Sequence, residues 1–194
     1  MRITATTAGL LLLATSVFAP ARASLAQKLQ RPVSIGVGGG ASMPMGASGD
    51  QLIFGWHALG TLALGVPRVP IGLRLDVAYD QFQFERALLG AAGPPGSQRV
   101  VSFSVNPVIE LPSDASQVKP YFIAGVGSYS QGCTESSSAC KSSTNFGWNV
   151  GGGAKFQLFG LHAFAEGRYH RTAEKTSVSN LSTQYLPITL GLLF

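Results

Sequence analysis

The chain has 194 residues, a formal net charge of +5 and only 12% charged residues, about half the share that is usual in soluble domains. Its basic residues are scattered and form no Lys/Arg-rich run, which argues against a nucleic-acid-binding surface. Beyond the N-terminus, no segment approaches the roughly 20 consecutive apolar residues of a membrane helix. Few charges, 24 glycines and no helical span favour a protein built from β-sheet.

The N-terminal residues predict a secretory signal peptide. Arg2 supplies a positive start, an uncharged and mainly apolar run covers Ala8 to Ala19, and the run Ala21, Arg22, Ala23 offers small residues at the cleavage spacing. The apolar run is too short to span a membrane. No cysteine follows directly, which argues against a lipoprotein anchor. We predict a signal peptide at 1–23 and a single mature domain at 24–194.

Alternating apolar and polar residues, the period-two pattern of β-strands, occur in eight segments of the mature chain. The first four segments run from Val33 to Ser42, from Leu52 to Leu64, from Ile71 to Asp80 and from Val101 to Leu111. Each has one apolar face, which in the second segment includes Leu52. The opposite faces carry mostly glycine, serine and asparagine, with isolated charges.

The last four segments run from Pro120 to Gln131, from Asn145 to Leu158, from Leu161 to His170 and from Leu181 to Phe194. The fifth of the eight is apolar on both faces, so its inward set stays unassigned. The other three alternate clearly. Eight strands is an even number, as bacterial single-chain membrane barrels require.

The connections between the segments also favour a barrel. If the N-terminus is periplasmic, the periplasmic turns are 65–70, 112–118 and 159–160, and the external loops are 43–50, 85–98, 132–143 and 174–180. Short turns on one side and longer loops on the other are typical of this architecture. No repeat and no second domain is apparent.

Alternation alone does not say which face meets lipid, because a soluble lipocalin-like barrel has the same period with its apolar face inside. Two features favour an apolar exterior. The polar face consists mainly of glycine, serine and asparagine with few charges, which is unusual for a surface in water. Aromatic residues lie toward the strand ends, as Phe146, Trp148 and Phe156 do in the sixth segment. Ten residues at about 3.3 Å each, tilted by about 40°, give roughly 25 Å, the height of the apolar band of such barrels.

An eight-stranded barrel has an interior just wide enough for side chains. Seven charged residues have inward parity: Arg74, Asp76, Asp80, Glu110, Lys155, Glu166 and Arg168. Their charges nearly cancel, and a buried charge without a partner costs several kcal/mol. We therefore predict a paired, hydrogen-bonded plug and favour this structural role over an ion path.

Cys133 and Cys140 are the only cysteines, and both fall in the third external loop. Behind a signal peptide they enter an oxidising compartment, where a disulfide is the default. Metal binding by this pair is the weaker alternative, since a zinc site needs further ligands. No other residue pattern indicates a metal or a cofactor, and we expect neither.

The three histidines, His57, His162 and His170, are expected to be polar lumen or rim residues. An outer-membrane lipase would bring a histidine, a serine and a carboxylate together, and the last loop offers Glu174 and Ser177 near His170. The His-x-Ser-Asn pattern of that family is absent, because Arg, Thr and Ala follow His170. Catalysis is thus the weaker interpretation.

Three stretches resemble the small eight-stranded outer-membrane barrels of the OmpA/OmpX type, and the resemblance covers nearly the whole mature chain. They are residues 119–127 (KPYFIAGVG), residues 151–154 (GGGA) and the ending 190–194 (LGLLF). The resemblance implies an all-β, eight-stranded antiparallel up-and-down transmembrane β-barrel in the bacterial outer membrane. It also implies that Phe194 is an assembly signal for the barrel-assembly machinery.

The function expected from this resemblance is that of a non-enzymatic envelope protein. The barrel would anchor surface loops for adhesion, surface interaction or envelope integrity. Its expected partners are outer-membrane lipid, lipopolysaccharide, the assembly machinery and an unknown extracellular ligand, with no nucleic acid. Two alternatives stay open: a narrow, porin-like channel or hydrophobic-solute path, and a lipid A-modifying enzyme.

Overall fold

The structure is a computed structural model that describes residues 33–49, 52–65, 69–84, 96–112, 118–133, 142–173 and 183–194. These residues form eight strands and one short 3-10 turn at Gly46–Ser48. The strands are β1 (Val33–Pro44), β2 (Leu52–Gly65), β3 (Ile71–Phe84), β4 (Ser97–Glu110), β5 (Val118–Cys133), β6 (Ser143–Leu158), β7 (Leu161–Thr172) and β8 (Gln184–Leu193). The predicted signal peptide at 1–23 lies outside the described residues. No helix in the described ranges is long and apolar enough to cross a membrane.

The strands form one closed barrel in which each strand pairs with its neighbour in sequence. All pairs are antiparallel, and β1 closes the barrel against β8 in a register that runs from Gly36↔Leu193 to Pro44↔Tyr185. The backbones of Ile35 and Phe194 exchange two further hydrogen bonds, of 3.2 and 2.7 Å. The predicted eight-stranded antiparallel up-and-down barrel is confirmed.

The exterior of the barrel is mainly apolar, and the interior combines polar residues with two apolar clusters. The strand whose faces the sequence left unassigned, β5, shows this clearly: Phe122 and Val126 are 60% and 63% exposed, whereas Tyr121 and Ile123 are 2% and 1% exposed. The inward set of β5 is therefore Tyr121, Ile123, Gly125, Gly127 and Tyr129. It escaped assignment because large apolar residues lie on both sides.

One residue has the opposite orientation to its predicted one. Leu52 was placed on the apolar outer face of β2 with Trp56, but it is only 5% exposed and packs inside. The pairing of β2 with β3 shifts between Ile53 and Trp56, where a β-bulge interrupts the register. A bulge adds one residue to one strand and reverses the alternation beyond it, so Leu52 and Trp56 lie on opposite faces.

The connections divide the barrel into two ends. At one end, which we call the short-turn end, β1 begins, β8 ends, and the chain passes from β2 to β3, from β4 to β5 and from β6 to β7. At the other, which we call the long-loop end, it passes from β1 to β2, from β3 to β4, from β5 to β6 and from β7 to β8. At the tightest turn, Phe159 and Gly160 both have positive φ, 50° and 80°, as expected of a two-residue hairpin turn whose twist matches the strands.

Inward glycines make room for large side chains in the narrow interior. A Cβ on Gly153 would lie 2.6 Å from Oη of Tyr121, and a Cβ on Gly147 would lie 2.7 Å from Cε2 of Tyr129. Both rings thus lie directly against a glycine of β6. The many glycines are therefore part of the packing of the lumen, as glycine in strands often indicates.

Candidate functional site

Four buried charged side chains lie in the middle of the lumen and contact one another. Arg74 and Asp76 come from β3, and Glu166 and Arg168 come from β7, which lies on the opposite side of the eight-stranded ring. Residues two apart on a strand share a face, so each strand presents an adjacent acid and base to the other. The two pairs meet across the full width of the barrel.

Each arginine bridges both carboxylates. Nη1 of Arg74 lies 2.8 Å from Oε2 of Glu166, Nη2 donates to Oε1 at 2.8 Å, and Nε lies 3.0 Å from Oδ1 of Asp76. Arg168 donates from Nη1 to Asp76 at 2.8 Å and from Nε to Glu166 at 2.9 Å. The two-pronged contact of Arg74 with Glu166 is the strongest geometry for such a pair. We call these four residues the quartet.

Neutral side chains from β4, β5 and β6 extend the hydrogen-bond network of the quartet. Nδ2 of Asn106 donates to Asp76 at 2.8 Å, and Nδ2 of Asn149 donates to Oδ1 of Asn106 at 2.9 Å. Oη of Tyr121 donates to Glu166 at 2.8 Å. Buried ions are tolerated when their remaining hydrogen-bonding capacity is filled. The network therefore ties β3, β4, β5, β6 and β7 together.

The other three predicted plug residues lie apart from the quartet. Nζ of Lys155 lies 2.6 Å from Oε1 of Glu110 at the short-turn end, where both side chains are about one-third exposed. Asp80 is buried on the opposite side of the quartet, where Oγ of Ser42 donates to it. Asp80 is thus part of the polar lumen and is hydrogen-bonded, but none of the described salt bridges includes it.

An aromatic layer covers the lumen toward the long-loop end. Leu52, Phe82, Val100, Tyr129 and Tyr185 form a buried cluster. The ring of His170 stacks on Tyr185 with centroids 4.9 Å apart and accepts or donates a 3.0 Å hydrogen bond with Oη of Tyr129. Toward the short-turn end, Val108, Tyr121 and Ile123 form a second cluster. Apolar layers therefore lie on both sides of the quartet.

The space left between the quartet and the aromatic layer is small. A cavity of about 20 Å³ is lined by residues that include His57, Asp80, His170 and Thr189. This volume accommodates a single water molecule. Among the described residues, the side chains of the quartet and of the two apolar clusters pack across the lumen around this cavity.

The three histidines have different neighbours among the described residues. His170 bonds to Tyr129, and Nε2 of His57 lies 2.8 Å from Oγ1 of Thr189. His162 is exposed at the short-turn end, where its Nε2 lies 3.3 Å from Nε2 of Gln157. Glu174 and Ser177 lie outside the described residues. Within the described ranges, no group of three His, Cys, Asp or Glu residues could hold a metal ion.

Comparison with solved structures finds the same architecture. Neisserial surface protein A matches with a TM-score of 0.61 and 16% identity, over 84% of this chain and 97% of that one. A major outer membrane protein from Thermus thermophilus matches with a TM-score of 0.50 and 16% identity, over 84% and 99%. The outer membrane enzyme PagL matches with a TM-score of 0.46 and 18% identity, over 83% and 98%. No family model and no curated protein matches the sequence.

This chain has the fold of the small eight-stranded outer-membrane barrels. At identities this low the likeness concerns the fold, because one fold hosts many activities. The resemblance predicted from residues 119–127, 151–154 and 190–194 is confirmed at that level. Those residues lie in β5, β6 and β8 of the barrel.

Two predicted sites sit at the edges of this outer-membrane barrel fold. Phe194 follows β8 with its ring exposed and its backbone held by Ile35; its role as an assembly signal stays a prediction. Cys133 ends β5 and is not a free cysteine. Cys140 lies outside the described residues, so the pairing of Cys133 with Cys140 also stays a prediction.

Two features were not predicted from the sequence: the aromatic layer, and the neutral side chains that hydrogen-bond to the quartet. Asn106 and Asn149 were placed on the inward face, which was the available signal, but their partners come from other strands and leave no local pattern. Phe82 and Val100 lie just beyond the segments predicted for β3 and β4. The inward orientation of Tyr129 was not predicted, because both faces of β5 are apolar.

Proposed function

We propose that the protein is an integral, non-enzymatic protein of the bacterial outer membrane. In this proposal the sealed barrel anchors the connections of the long-loop end, which face the cell exterior and serve adhesion, surface interaction or envelope integrity. The observation that carries the proposal is the inverted distribution of polarity. Buried ions fill the lumen, while valine, leucine and aromatic side chains cover the outside.

Physical requirements of a bilayer support this location. A segment in hydrocarbon must satisfy every backbone N–H and C=O internally, and a closed barrel does so because it has no edge. The pairing of β1 with β8 removes the edges here. Aromatic pairs on the outer face, Trp56–Tyr79 and Trp148–Tyr169, lie toward the long-loop end, at the level where aromatic belts meet the membrane surface.

The filled lumen favours an anchor over a channel. Any ion that entered would have to displace the quartet or the aromatic layer, and each is tied to several strands. We therefore expect no steady single-channel openings when the purified protein is placed in planar bilayers. Steady openings would contradict the anchor proposal and support the transport alternative.

Cell fractionation tests the location. When the full chain is produced in a Gram-negative host, it should be recovered in the outer-membrane fraction and require detergent for extraction. Its migration on gels should shift on heating, as compact barrels unfold. A variant with Phe194→Ser should accumulate unassembled if Phe194 is the assembly signal. Recovery of the unaltered chain as soluble periplasmic protein would contradict the proposal.

A chemical assay tests the absence of enzymatic activity. The purified protein is incubated with lipopolysaccharide, and released acyl chains are measured by mass spectrometry. The proposal predicts no release above that of a detergent blank. Release that disappears in a His170→Gln variant would instead support the lipid A-modifying alternative.

A further inference from the structure

A cleft of about 180 Å³ lies on the outer surface where β4 and β5 reach the long-loop end. Its lining includes Tyr79, Arg99, Ser130, Gly132 and Ser142. Gly132 leaves the space open: a Cβ there would lie 3.3 Å from Nε of Arg99 and 3.3 Å from Oγ of Ser142. The guanidinium group and a hydroxyl group therefore lie side by side over a residue without a side chain.

Arg99 has no counter-charge in the described part of the barrel. Its neighbours across the sheet are Gln81 on β3 and Gly132 on β5, and its side chain forms no ion pair with another described residue. The described carboxylates all belong to the inward-facing set: Asp76, Asp80, Glu110 and Glu166. Arg99 thus faces outward without an acidic partner among the residues that the structure describes.

The surface next to the cleft is suited to acyl chains. Val101, Phe103 and Val126 are exposed on the outer face from Arg99 toward mid-strand. The ring of Tyr79 lies 5.3 Å from that of Trp56, and tyrosine and tryptophan prefer the boundary between hydrocarbon and headgroups. If the barrel lies in a membrane as proposed above, the guanidinium group of Arg99 is therefore at headgroup level.

From this placement we infer that the cleft binds the phosphate group of a lipid in the outer leaflet, with Arg99 as its anchor. A guanidinium group binds phosphate through two parallel hydrogen bonds. The hydroxyls of Ser130 and Ser142 are further donors, and the apolar surface beside them accepts the acyl chains. This inference rests on the proposed membrane location, because only a barrel in the membrane brings the phosphate groups of outer-leaflet lipids to the cleft.

Arg171 provides a matched control. It lies on the outer face of β7 at the same end, opposite Trp148 on β6 and Gln184 on β8. It carries the same charge and is exposed, but no glycine opens a cleft beside it. Non-specific attraction to anionic lipid would involve both arginines equally, whereas a built site would involve Arg99.

The test uses the purified full-length mature protein in detergent micelles and measures lipid binding by native mass spectrometry. The probes are bisphosphorylated lipid A, the same lipid after enzymatic dephosphorylation, and inorganic phosphate.

Arg99→Gln should weaken binding of the phosphorylated lipid about tenfold or more, as expected when a charge-assisted contact is lost. Arg171→Gln should change it less than about threefold. Gly132→Leu should weaken binding although the charge remains, because its side chain fills the cleft.

Three results would overturn the inference. Equal losses in Arg99→Gln and Arg171→Gln would indicate diffuse electrostatic attraction, and equal affinity for the dephosphorylated lipid would indicate apolar contact alone. Inorganic phosphate that competes as strongly as the lipid would indicate a free-phosphate site. Fractionation of each variant separates this inference from the proposed function: a wild-type chain absent from the outer membrane contradicts both, whereas an inserted barrel with unchanged binding in Arg99→Gln contradicts this inference alone.

Discussion

Four charged side chains lie in the centre of the lumen, whereas the outer surface at the same height carries residues such as Val77 and Val126. Inside, every member of the quartet contacts two opposite charges, one on its own strand and one on the strand across the barrel. Outside, Arg99 and Arg171 sit toward one end and have no acidic partner among the described residues. Charge is therefore confined either to the sealed interior or to the edge of the apolar band.

In the proposed membrane location, this difference follows from the solvents on the two sides. A closed interior supplies fixed partners to each ion, and a filled network offsets part of the cost of removing the ions from water. Hydrocarbon offers no partner at all, so charge on the outer face is tolerated only near the headgroups. The positions of the charges thus indicate which side faces lipid.

The largest effect is expected from breaking the interior network. Glu166→Gln leaves Arg74 and Arg168 to share the single carboxylate of Asp76, and loss of one partner from a buried pair typically costs about 3–5 kcal/mol. The free energy of unfolding, measured by urea titration in lipid vesicles with tryptophan fluorescence, should fall by that amount. A loss below about 1 kcal/mol, as for an exposed pair, would show that water reaches the quartet.

A charge placed on the outer face at mid-strand should be the next most damaging change. Val77→Arg exposes a cation to the centre of the hydrocarbon and should lower the free energy of unfolding by about 2–4 kcal/mol. Thr144→Arg, an outward position at the start of β6, should cost about 1 kcal/mol or less. Equal effects of the two substitutions in vesicle titrations would indicate that the band does not face lipid.

The packing of the lumen can be compared with that of the outer surface by replacing one inward and one outward glycine with alanine. A Cβ on Gly153 would crowd Tyr121 and the carbonyl of Ala165, whereas a Cβ on the outward Gly167 would meet nothing within 4 Å. Gly153→Ala should therefore cost about 1–3 kcal/mol, the usual effect of overpacking. Gly167→Ala should change the free energy of unfolding by less than about 0.5 kcal/mol. The same vesicle titration measures both, and the reverse order would contradict a tightly packed lumen.

The smallest effect is expected at the partly solvated rim. Lys155 and Glu110 form an ion pair with about one-third of each side chain exposed, and exposed pairs contribute about 0–1 kcal/mol. Glu110→Gln should therefore leave the urea midpoint almost unchanged and serves as the control for Glu166→Gln. A large loss at this position would place the rim pair within the sealed interior.

Most of the fold could be predicted because alternation is a local property of a strand. The eight segments, their antiparallel order and the outward face of β4, β6 and β8 follow from residues two apart, as Phe146, Trp148 and Val150 show in β6. Where the sequence departs from alternation, prediction failed: the bulge before Trp56 turned Leu52 inward, and β5 carries large side chains on both faces.

The candidate sites were less predictable because their geometry depends on distant strands. Inward parity placed Arg74, Asp76, Glu166 and Arg168 on the same side of the sheet, and in the structure their side chains lie within ion-pair distance of one another. The inward or outward side of a residue does not give its position along the barrel axis, however. The sequence therefore did not separate Asp80 and Lys155 from the quartet. The cleft beside Arg99 depends on the register of β4 against β5, which places Gly132 opposite the arginine.

Collision accessibility of spin labels tests most directly which face of the barrel meets lipid. Single cysteines at Val77, Val105 and Val126, in a background with Cys133→Ser and Cys140→Ser, are labelled and the protein is reconstituted into bilayers. If the apolar face meets lipid, the labels should collide frequently with oxygen, which dissolves in hydrocarbon, and rarely with a water-soluble nickel complex. Frequent nickel collisions at these three positions, or labels shielded from both reagents inside the barrel, would contradict this orientation.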